Sequence, residues 1–490
     1  MTAMNKIIFG AGAVLALSLP VAAHAGVAED VASSLGATAI PTGIDMPFSH
    51  ETIAWEGSEI GDDGLLHVRG LTISENGATT TAALAALSPG YIRMTEVSIQ
   101  GNAADERHSG VTIAELSIEG GEALDLLIVQ QEQRACAPGT DDLAGVMANT
   151  LRASGIEITA PPMPEETGLA ASALETIKVA EVVTALRVDA AMSCLDIPSL
   201  DIARISSVSA DGSTGKIDAL SMTSDMFPAE DINGFWAASL QGATFADPVG
   251  RQVLAIEQVS VHGEIGESLL ELARAQQDMP ALEGTSLNEA FVAALAMGRA
   301  DFRFDLLGLD IPAGIFTPQV SERFGIAPDQ AFSGDMRLVV SAPGGGQLLI
   351  SEAVDIEGLA RTDLKLHVGI GEQSSAGGLA SIMRDDPRIS LASRFSLIGA
   401  EFSHEDKGLS AIVEASTGME VSALVLMAEY AAVKIPAGIR TPIFAWLSEA
   451  LETSGRATLA PEGPVGFIEI GMTAAMKPEQ LPELLGLSLD

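Results

Sequence analysis

The most informative feature of the sequence is a spacing of apolar residues that recurs along its first half. In each copy, apolar residues occupy positions 1, 3, 6 and 8 of a short segment. Clear copies begin at Leu66, Ile92, Val111 and Leu254, and looser copies begin at Ile177 and Leu200. At 100° per residue these positions would scatter around a helix, so the segments are predicted to be strands.

The shift between positions 3 and 6 has a definite meaning in a strand. Alternation holds for three residues, slips by one and then resumes, which indicates a β-bulge that keeps both halves facing the same core. Two separate short strands, or one strand buried on both faces, are the alternatives. Gly101, Gly120 and Gly263 follow three of the copies and would end them in turns. The series predicts a β-rich α+β protein, with long twisted antiparallel sheets built as a meander and a few amphipathic helices.

A second repeat lies in the C-terminal half. The segment Ile-Pro-Ala-Gly-Ile-Phe-Thr-Pro at 311–318 returns as Ile-Pro-Ala-Gly-Ile-Arg-Thr-Pro at 435–442. Thr317 and Thr441 are predicted helix N-caps, each with proline at the first helical position. Each helix is predicted to end before a Ser-Gly pair, with a strand and a Gly/Pro turn after it. The predicted domains are a β-repeat region (26–265), a strand–helix–hairpin module (266–400) and a second, related module (401–490).

Helices are predicted to be a minority. Ser286 and Glu289 form a capping box that opens one of them, and Gly298 is placed to end it. Apolar stripes predict two more helices, at 143–151 and 269–272.

The first 25 residues are typical of a cleavable secretory signal peptide. Lys6 precedes an apolar run at 7–19, and Pro20 and the segment Ala23-His24-Ala25 follow it. Cleavage is predicted after Ala25, which places the mature chain in the periplasm or outside the cell. A permanent anchor is the alternative, but the apolar run is short for a bilayer span and Pro20 interrupts it. The mature chain has no later run of 18 apolar residues, so no integral membrane segment is predicted there.

Charge excludes one class of partner. The chain has 26 Lys and Arg residues against 66 Asp and Glu, a formal net charge of −40. Such a field repels nucleic acid and anionic headgroups. Because 47% of the residues are hydrophobic, the chain is expected to fold despite this charge.

The cysteine count is compatible with export. Only Cys136 and Cys194 are present, and an even pair in an oxidising compartment predicts a disulfide. Closing a loop of that length would stabilise the fold by about 4 kcal/mol in the chain-entropy model.

Residues that could carry chemistry are sparse. The histidines of the mature chain show no zinc-site spacing: His50, His67, His108, His262, His367 and His404. The tetrapeptide Ser213-Thr-Gly-Lys216 matches a Ser-x-x-Lys signature, but it follows Asp211-Gly212 between β segments and is predicted to be a hairpin turn. The acidic stretches at 59–64 and 385–386 have oxygen ligands for calcium but are better explained as solvated turns. No catalytic, metal-binding or cofactor-binding residue is assigned.

Two of the repeats carry a family resemblance. Ile-Arg-Met-Thr-Glu-Val-Ser-Ile-Gln-Gly (92–101) and Val-Thr-Ile-Ala-Glu-Leu-Ser-Ile-Glu-Gly (111–120) resemble the repeating strands of AsmA-like envelope proteins and related periplasmic β-repeat families of proteobacteria. The resemblance implies long twisted sheets with an apolar interior, which such families use in lipid handling or envelope maintenance. The chain departs from the AsmA-like plan because its membrane segment is predicted to be cleaved, and no functional residue carries over.

These features favour a non-catalytic envelope protein that binds a lipid or another apolar ligand on a curved sheet. The alternative is a structural or protein-interaction module with a closed core and an envelope protein as partner, and the third reading is a carboxylate-based hydrolase. The predicted lids are the helices near 269–272 and 287–295. The predicted ligand face consists of Ile92, Met94, Val97, Ile99, Val111, Ile113, Leu116 and Ile118.

Overall fold

A computed structural model of the chain describes residues 43–45, 52–75, 78–88, 90–100, 110–120, 134–135, 148–160, 175–188, 194–209, 211–225, 234–266, 298–316, 318–324, 326–327, 329–371, 394–432 and 437–490. Several predicted features lie outside these residues: the signal peptide, the helices at 269–272 and 286–298 apart from Gly298, His50, His108, Cys136, Thr317, and the acidic pair at 385–386.

The chain folds into two compact units, and strands dominate both. The first unit contains β1 (Gly43–Asp45), β2 (Thr52–Ala54), β3 (Gly57–Ile60), β4 (Leu66–Glu75), β5 (Ala78–Ser88), β6 (Tyr91–Gln100), β7 (Gly110–Gly120), β8 (Arg134–Ala135), β9 (Ala148–Ala160), β10 (Glu175–Val188), β11 (Cys194–Val208) and β12 (Thr214–Asp225). Strand β13 (Gly234–Ala246) is divided, with 234–238 in the second unit and 239–246 in the first; Asp225, the last residue of β12, also belongs to the second unit, and Gln252, the first of β14, to the first.

The second unit continues with β14 (Gln252–Ile265), β15 (Ala300–Ile311), β16 (Phe332–Ala342), β17 (Gln347–Glu357), β18 (Ala360–Ile370), β19 (Phe395–Asp406), β20 (Ser454–Leu459), β21 (Val465–Gly466) and β22 (Leu487–Leu489). Its helices are α1 (Pro318–Phe324), α2 (Leu409–Thr417), α3 (Val421–Ala431), α4 (Ala437–Glu452), α5 (Phe467–Met476) and α6 (Leu481–Leu485), with a 3-10 turn at Pro478–Gln480.

The predicted antiparallel meander is confirmed. In the first unit β4, β5, β6 and β7 pair in sequence, β7 pairs with β9, and β9 to β12 continue the series, all antiparallel. The short strand β8 pairs in parallel with the start of β11. In the second unit β14 to β20 form an antiparallel series, to which β22 adds at the β20 edge.

The slip in the apolar spacing occurs at one level across the first unit. Thr95 pairs with Leu84 and Val97 with Ala82, so that Glu96 lies opposite Ala83 without a registered pair. Every second strand has a left-handed residue at this level, with φ between 51° and 64°. We call the whole row the slip line: Gly70, Ala83, Glu96, Ala114, Gly155, Ala180, Arg204 and Asp218.

This geometry differs from the predicted β-bulge. A bulge sets two residues of one strand against one residue of its partner and shifts the register. Here the register is the same on both sides of the slip line, because neighbouring strands carry the same spacing at the same level. The alternation of side chains therefore shifts by one residue at the same level in both strands. As a result, the apolar residues before and after the line face one core.

The core of the first unit is formed by these apolar positions. Most of them are at most 8% exposed, and these are Leu66, Val68, Leu71, Ala82, Ala85, Leu87, Ile92, Met94, Val97, Ile99, Val111, Ile113, Leu116, Ile118, Leu151, Ala153, Ile156, Ile158, Ile177, Val179, Val182, Ile202, Ile205 and Ile217. Leu151 corrects one prediction, since it lies in β9 and not in a helix. The reason is that Leu151, Ala153, Ile156 and Ile158 repeat the 1, 3, 6, 8 spacing, which outweighs the apolar stripe upstream.

The octapeptide repeat leads into helices that begin differently. Helix α1 begins at Pro318, as predicted. Helix α4 begins at Ala437 and contains Pro442, so the prediction that Thr441 is an N-cap is wrong. The Thr441 hydroxyl donates instead to Glu429 Oε1 of α3 at 2.9 Å, which is a tertiary contact that no local pattern reveals. The Ser-Gly pairs do enter strands in both cases, β16 and β20.

Candidate ligand-binding face of the second unit

The sheet of the second unit has one apolar and one charged face. Because side chains alternate along a strand, the register assigns each residue to a face. Phe304 pairs with Leu338, and Leu364 pairs with Phe402, all on the apolar face. The opposite face carries charged residues at the neighbouring positions: Arg303, Asp305, Arg337, Asp355, Arg361, Asp363, Lys365 and Glu401.

Burial on the apolar face changes along the strands. At one end Ala342, Val368 and Leu397 are between 1% and 5% exposed, and at the other end Phe332 and Ala360 are 8% exposed. Between these ends the apolar side chains are only half-buried: Phe302, Phe304, Leu338, Val340, Leu348, Ile350, Leu364 and Leu366. The middle of the face is therefore apolar surface that still contacts solvent.

Helix α4 packs over the β19–β20 edge of this face. The Trp446 ring meets Phe402 edge-on, with ring centroids 6.2 Å apart, and its Nε1 donates to the Asp490 carbonyl at 3.2 Å. A Cβ at Gly455 of β20 would lie 2.5 Å from the Ala450 Cβ, so this close approach requires glycine. The half-buried residues lie on β15 to β18, and Leu364, which pairs with Phe402, is the one next to this contact.

Four polar side chains of the described strands belong to the apolar face: Glu352, Thr362, His404 and Asp406. Asp406 accepts hydrogen bonds from the Ser410 N–H and hydroxyl at the start of α2. His404 is 7% exposed, and its Nδ1 lies 3.2 Å from the Thr362 hydroxyl. Its Nε2 has no hydrogen-bond partner among the described residues. Glu352 is half-buried and lies between Leu338 and Leu364 in the register. Glu352 is therefore the group on this face that could contact the polar end of an otherwise apolar ligand.

The charged face is occupied by ion pairs. Asp305 lies between Arg303 Nε, at 2.5 Å, and Arg337 Nε, at 2.6 Å. Burial raises the pKa of the Asp305 carboxyl, but hydrogen bonds from both guanidinium groups lower it by more, so the pKa lies below its usual value. Lys407 binds Asp355 at 2.6 Å, and this bond raises the pKa of the lysine. The Asp305–Arg337 pair joins the neighbouring strands β15 and β16, and the Lys407–Asp355 pair links the end of β19 to β17 across β18.

The residues of the predicted ligand face lie in the first unit. Those from Ile92 to Ile99 are on β6 and those from Val111 to Ile118 on β7, on one face as expected. Each is between 0% and 7% exposed. A ligand would contact them only by displacing whatever covers them, and their role in binding stays a prediction.

The remaining candidates lie apart from the apolar face. His67 contacts Asp63 Oδ1 and Oδ2 at 3.0 Å, which stabilises the acidic turn after β3 and lowers the pKa of Asp63. Ser213 ends a turn in which its N–H donates to Asp211 Oδ1, and β12 begins at Thr214, so the hairpin turn is confirmed. Within the described part of the chain, no group of three or more His, Cys, Asp or Glu residues is placed to hold a metal ion.

The predicted disulfide is only half described. Cys194 begins β11, where it pairs with Arg134. Cys136 follows two residues after Arg134 and lies outside the described residues, so the disulfide stays a prediction.

Sequence reasoning missed the face of the second unit, although a signal was present. Phe302, Phe304 and Leu306 alternate with charged residues, as do Leu364, Leu366 and Val368 with Lys365 and His367. This plain period of two is typical of a two-faced strand. The slipped spacing of the first half directed the prediction to that region instead.

Comparison with known proteins gives no assignment. No protein-family model matches the chain, and no curated protein matches it. Among the described helices, none is by itself long and apolar enough to cross a membrane; α2 and α3 meet the length and composition criteria together, but they are bent by 73°.

Proposed function

We propose that this chain is an exported, non-catalytic envelope protein that binds a lipid acyl chain or a similar apolar ligand on the apolar face of its second unit. The observation that carries the proposal is the half-buried middle of that face, between buried strand ends. These side chains are only partly exposed, but together they form an apolar row that a ligand could cover. The resemblance to AsmA-like strands concerns β6 and β7 of the first unit, so it supports the class of ligand and not the location of the site.

The energetics suit an acyl chain. Each buried methylene contributes about 0.8 kcal/mol, so ten of them contribute about 8 kcal/mol before the costs of association. The polar end of the ligand would lie near Glu352, whose carboxylate repels a fatty-acid carboxylate. The proposal therefore favours a ligand whose polar end is neutral or cationic.

The chain offers a matched pair of variants to test this. Leu348 and Leu349 are adjacent in β17, and their side chains point to the apolar and the charged face respectively. In delipidated protein, Leu348→Gln should weaken the binding of a fluorescent acyl monoglyceride by about tenfold, the effect of losing one buried leucine contact. Leu349→Gln should leave the affinity unchanged. Equal effects of the two variants, or no binding by the wild type, would refute the proposed site.

Export belongs to the same proposal. Protein recovered from the periplasm or medium should begin near Gly26, with the first 25 residues removed. An intact Met1 in that fraction would contradict the assigned compartment.

The buried face of the first unit favours a second role. Since its apolar residues are almost fully covered, this unit fits a closed structural module better than an open site. Native mass spectrometry of protein purified from its own envelope distinguishes the two functions. A co-purified lipid favours binding, and an unliganded chain in complex with another protein favours the structural role.

A further inference from the structure

Helix α3 is apolar on both its inner and its outer side. Val421 and Val425 are 4% and 7% exposed and form its inner side. Leu426, Met427 and Tyr430 are 54%, 59% and 74% exposed. At 100° per residue these three lie within about 100° of arc, opposite the two valines. We call them the outer face of α3.

The outer face carries no charge. The only ionisable acid of the helix is Glu429, and its carboxylate accepts a hydrogen bond from Thr441 at 2.9 Å and lies 3.6 Å from Arg440 Nε. Both partners are on α4. At the start of α3 the Ser422 N–H donates to Glu452 of α4 at 3.1 Å. These contacts hold α3 in one orientation, so the outer face is a fixed feature of the unit.

The composition of this face fits a lipid surface. Leucine and methionine supply flexible apolar contacts, and tyrosine combines an apolar ring with a hydroxyl that stays among headgroups. Neither α2 nor α3 contains Lys or Arg, whereas Glu414 lies in α2, Glu429 lies in α3 and Glu420 directly precedes α3. Adsorption would therefore depend on apolar burial without attraction to anionic lipids. With a net charge of −40, the chain would be repelled by them.

We propose that the outer face of α3 docks the second unit onto a zwitterionic lipid surface. The helix would lie in the plane of the interface, with Leu426 and Met427 below the headgroups and the Tyr430 hydroxyl among them. The same helix packs against α4, which covers one edge of the apolar face described above. Docking does not depend on the proposed ligand, because it involves different residues on a different element.

The test is co-sedimentation with vesicles of phosphatidylcholine. The wild type should bind, and Leu426→Gln/Met427→Gln should lower the partition coefficient by at least about tenfold. A matched control, Leu84→Gln/Val208→Gln, changes two apolar residues of similar exposure (52% and 51%) in the first unit and should bind as the wild type does. Adding phosphatidylglycerol to the vesicles should weaken binding, and salt should restore it by screening.

A second readout locates the contact. In Tyr430→Trp, the emission of the introduced tryptophan should shift to shorter wavelength on addition of vesicles. The proposal is overturned if the wild type does not sediment with vesicles, if both double variants bind equally, or if this emission does not shift. It is also overturned if the wild type self-associates without binding vesicles and the Leu426→Gln/Met427→Gln variant no longer self-associates. In that case the face is a contact between two copies.

Loss of docking is separable from loss of the proposed ligand. Leu348→Gln should bind vesicles normally, and the Leu426/Met427 variant should bind the acyl monoglyceride normally. If Leu348→Gln impairs vesicle binding, or the Leu426/Met427 variant impairs monoglyceride binding, the apolar face and the outer face of α3 form a single binding surface.

Discussion

Replacing Gly155 with alanine tests whether the slip line organises the first unit. Gly155 has φ +62°, and a Cβ at this position would lie 2.7 Å from the Ala114 Cβ of β7. The left-handed conformation costs a residue with a Cβ about 1–2 kcal/mol. Overpacking against Ala114 adds about 1–3 kcal/mol. We expect Gly155→Ala to lower the free energy of unfolding by about 2–5 kcal/mol, the sum of the two costs.

A second substitution separates the two contributions. Ala114→Gly removes the atom that the new Cβ would contact and leaves φ unchanged. In a double-mutant cycle it should recover the overpacking part, so that about 1–2 kcal/mol of destabilisation remains. Glu96→Gly is the matched control on the same line. Glu96 already adopts φ 51°, and glycine there should not destabilise the protein.

The assay is urea unfolding followed by far-UV circular dichroism, with hydrogen exchange of peptides covering 148–160 to assign the change to the first unit. The reasoning is refuted if Gly155→Ala unfolds within about 0.5 kcal/mol of the wild type, the usual range for neutral surface substitutions. It is also refuted if Ala114→Gly fails to rescue any of the loss.

Two further predictions concern electrostatics and covalent structure. Asp305→Asn should destabilise the second unit by about 1–3 kcal/mol at neutral pH, because it weakens two charged hydrogen bonds to a nearly buried group. Since the folded-state pKa of Asp305 is lowered, its contribution is present above the usual carboxyl pKa of 3.8 and is lost as the pH falls through the folded value. Urea midpoints of wild type and variant should therefore differ at pH 7 and converge below about pH 4, and a constant difference would contradict the assigned cause. Alkylation of exported protein without reductant should label neither Cys136 nor Cys194, and reduction should cost about 2–4 kcal/mol of stability. Labelling of both thiols in native protein would exclude the disulfide.

Much of the architecture was predictable because it depends on local periodicity. The 1, 3, 6, 8 spacing identified strands β4, β6, β7 and β14. All its apolar positions in β6 and β7 are buried, whereas Ile73 of β4 is only half-buried. Gly120 ends β7 and the Asp211-Gly212 turn precedes β12, as predicted, because glycine and aspartate favour turn conformations. Gly263 was predicted to end β14 but pairs with Phe302 inside that strand, and Gly101 lies outside the described residues. These features are encoded within a few residues of each other, so one strand is enough to reveal them.

The helices at the second octapeptide could not be predicted in the same way. Thr441-Pro442 has the chemistry of a helix start, yet α4 begins at Ala437. Contacts from Glu429 on α3 and from Trp446 to Phe402 place this helix, and those partners are distant in the sequence. Local capping preferences amount to about 1 kcal/mol, which tertiary packing can outweigh.

The sequence by itself determined that the chain is rich in β-strands and which positions of each repeat face inward. It also determined a net negative charge that opposes anionic partners. Only the tertiary structure decided how the slips are accommodated, because register depends on the neighbouring strand as much as on the strand itself. It also decided which apolar face is covered. Ile92 and Leu338 have similar surroundings in the sequence, but Ile92 is fully buried and Leu338 is half-buried. Burial depends on what packs against a face, and the sequence of a single strand does not specify that.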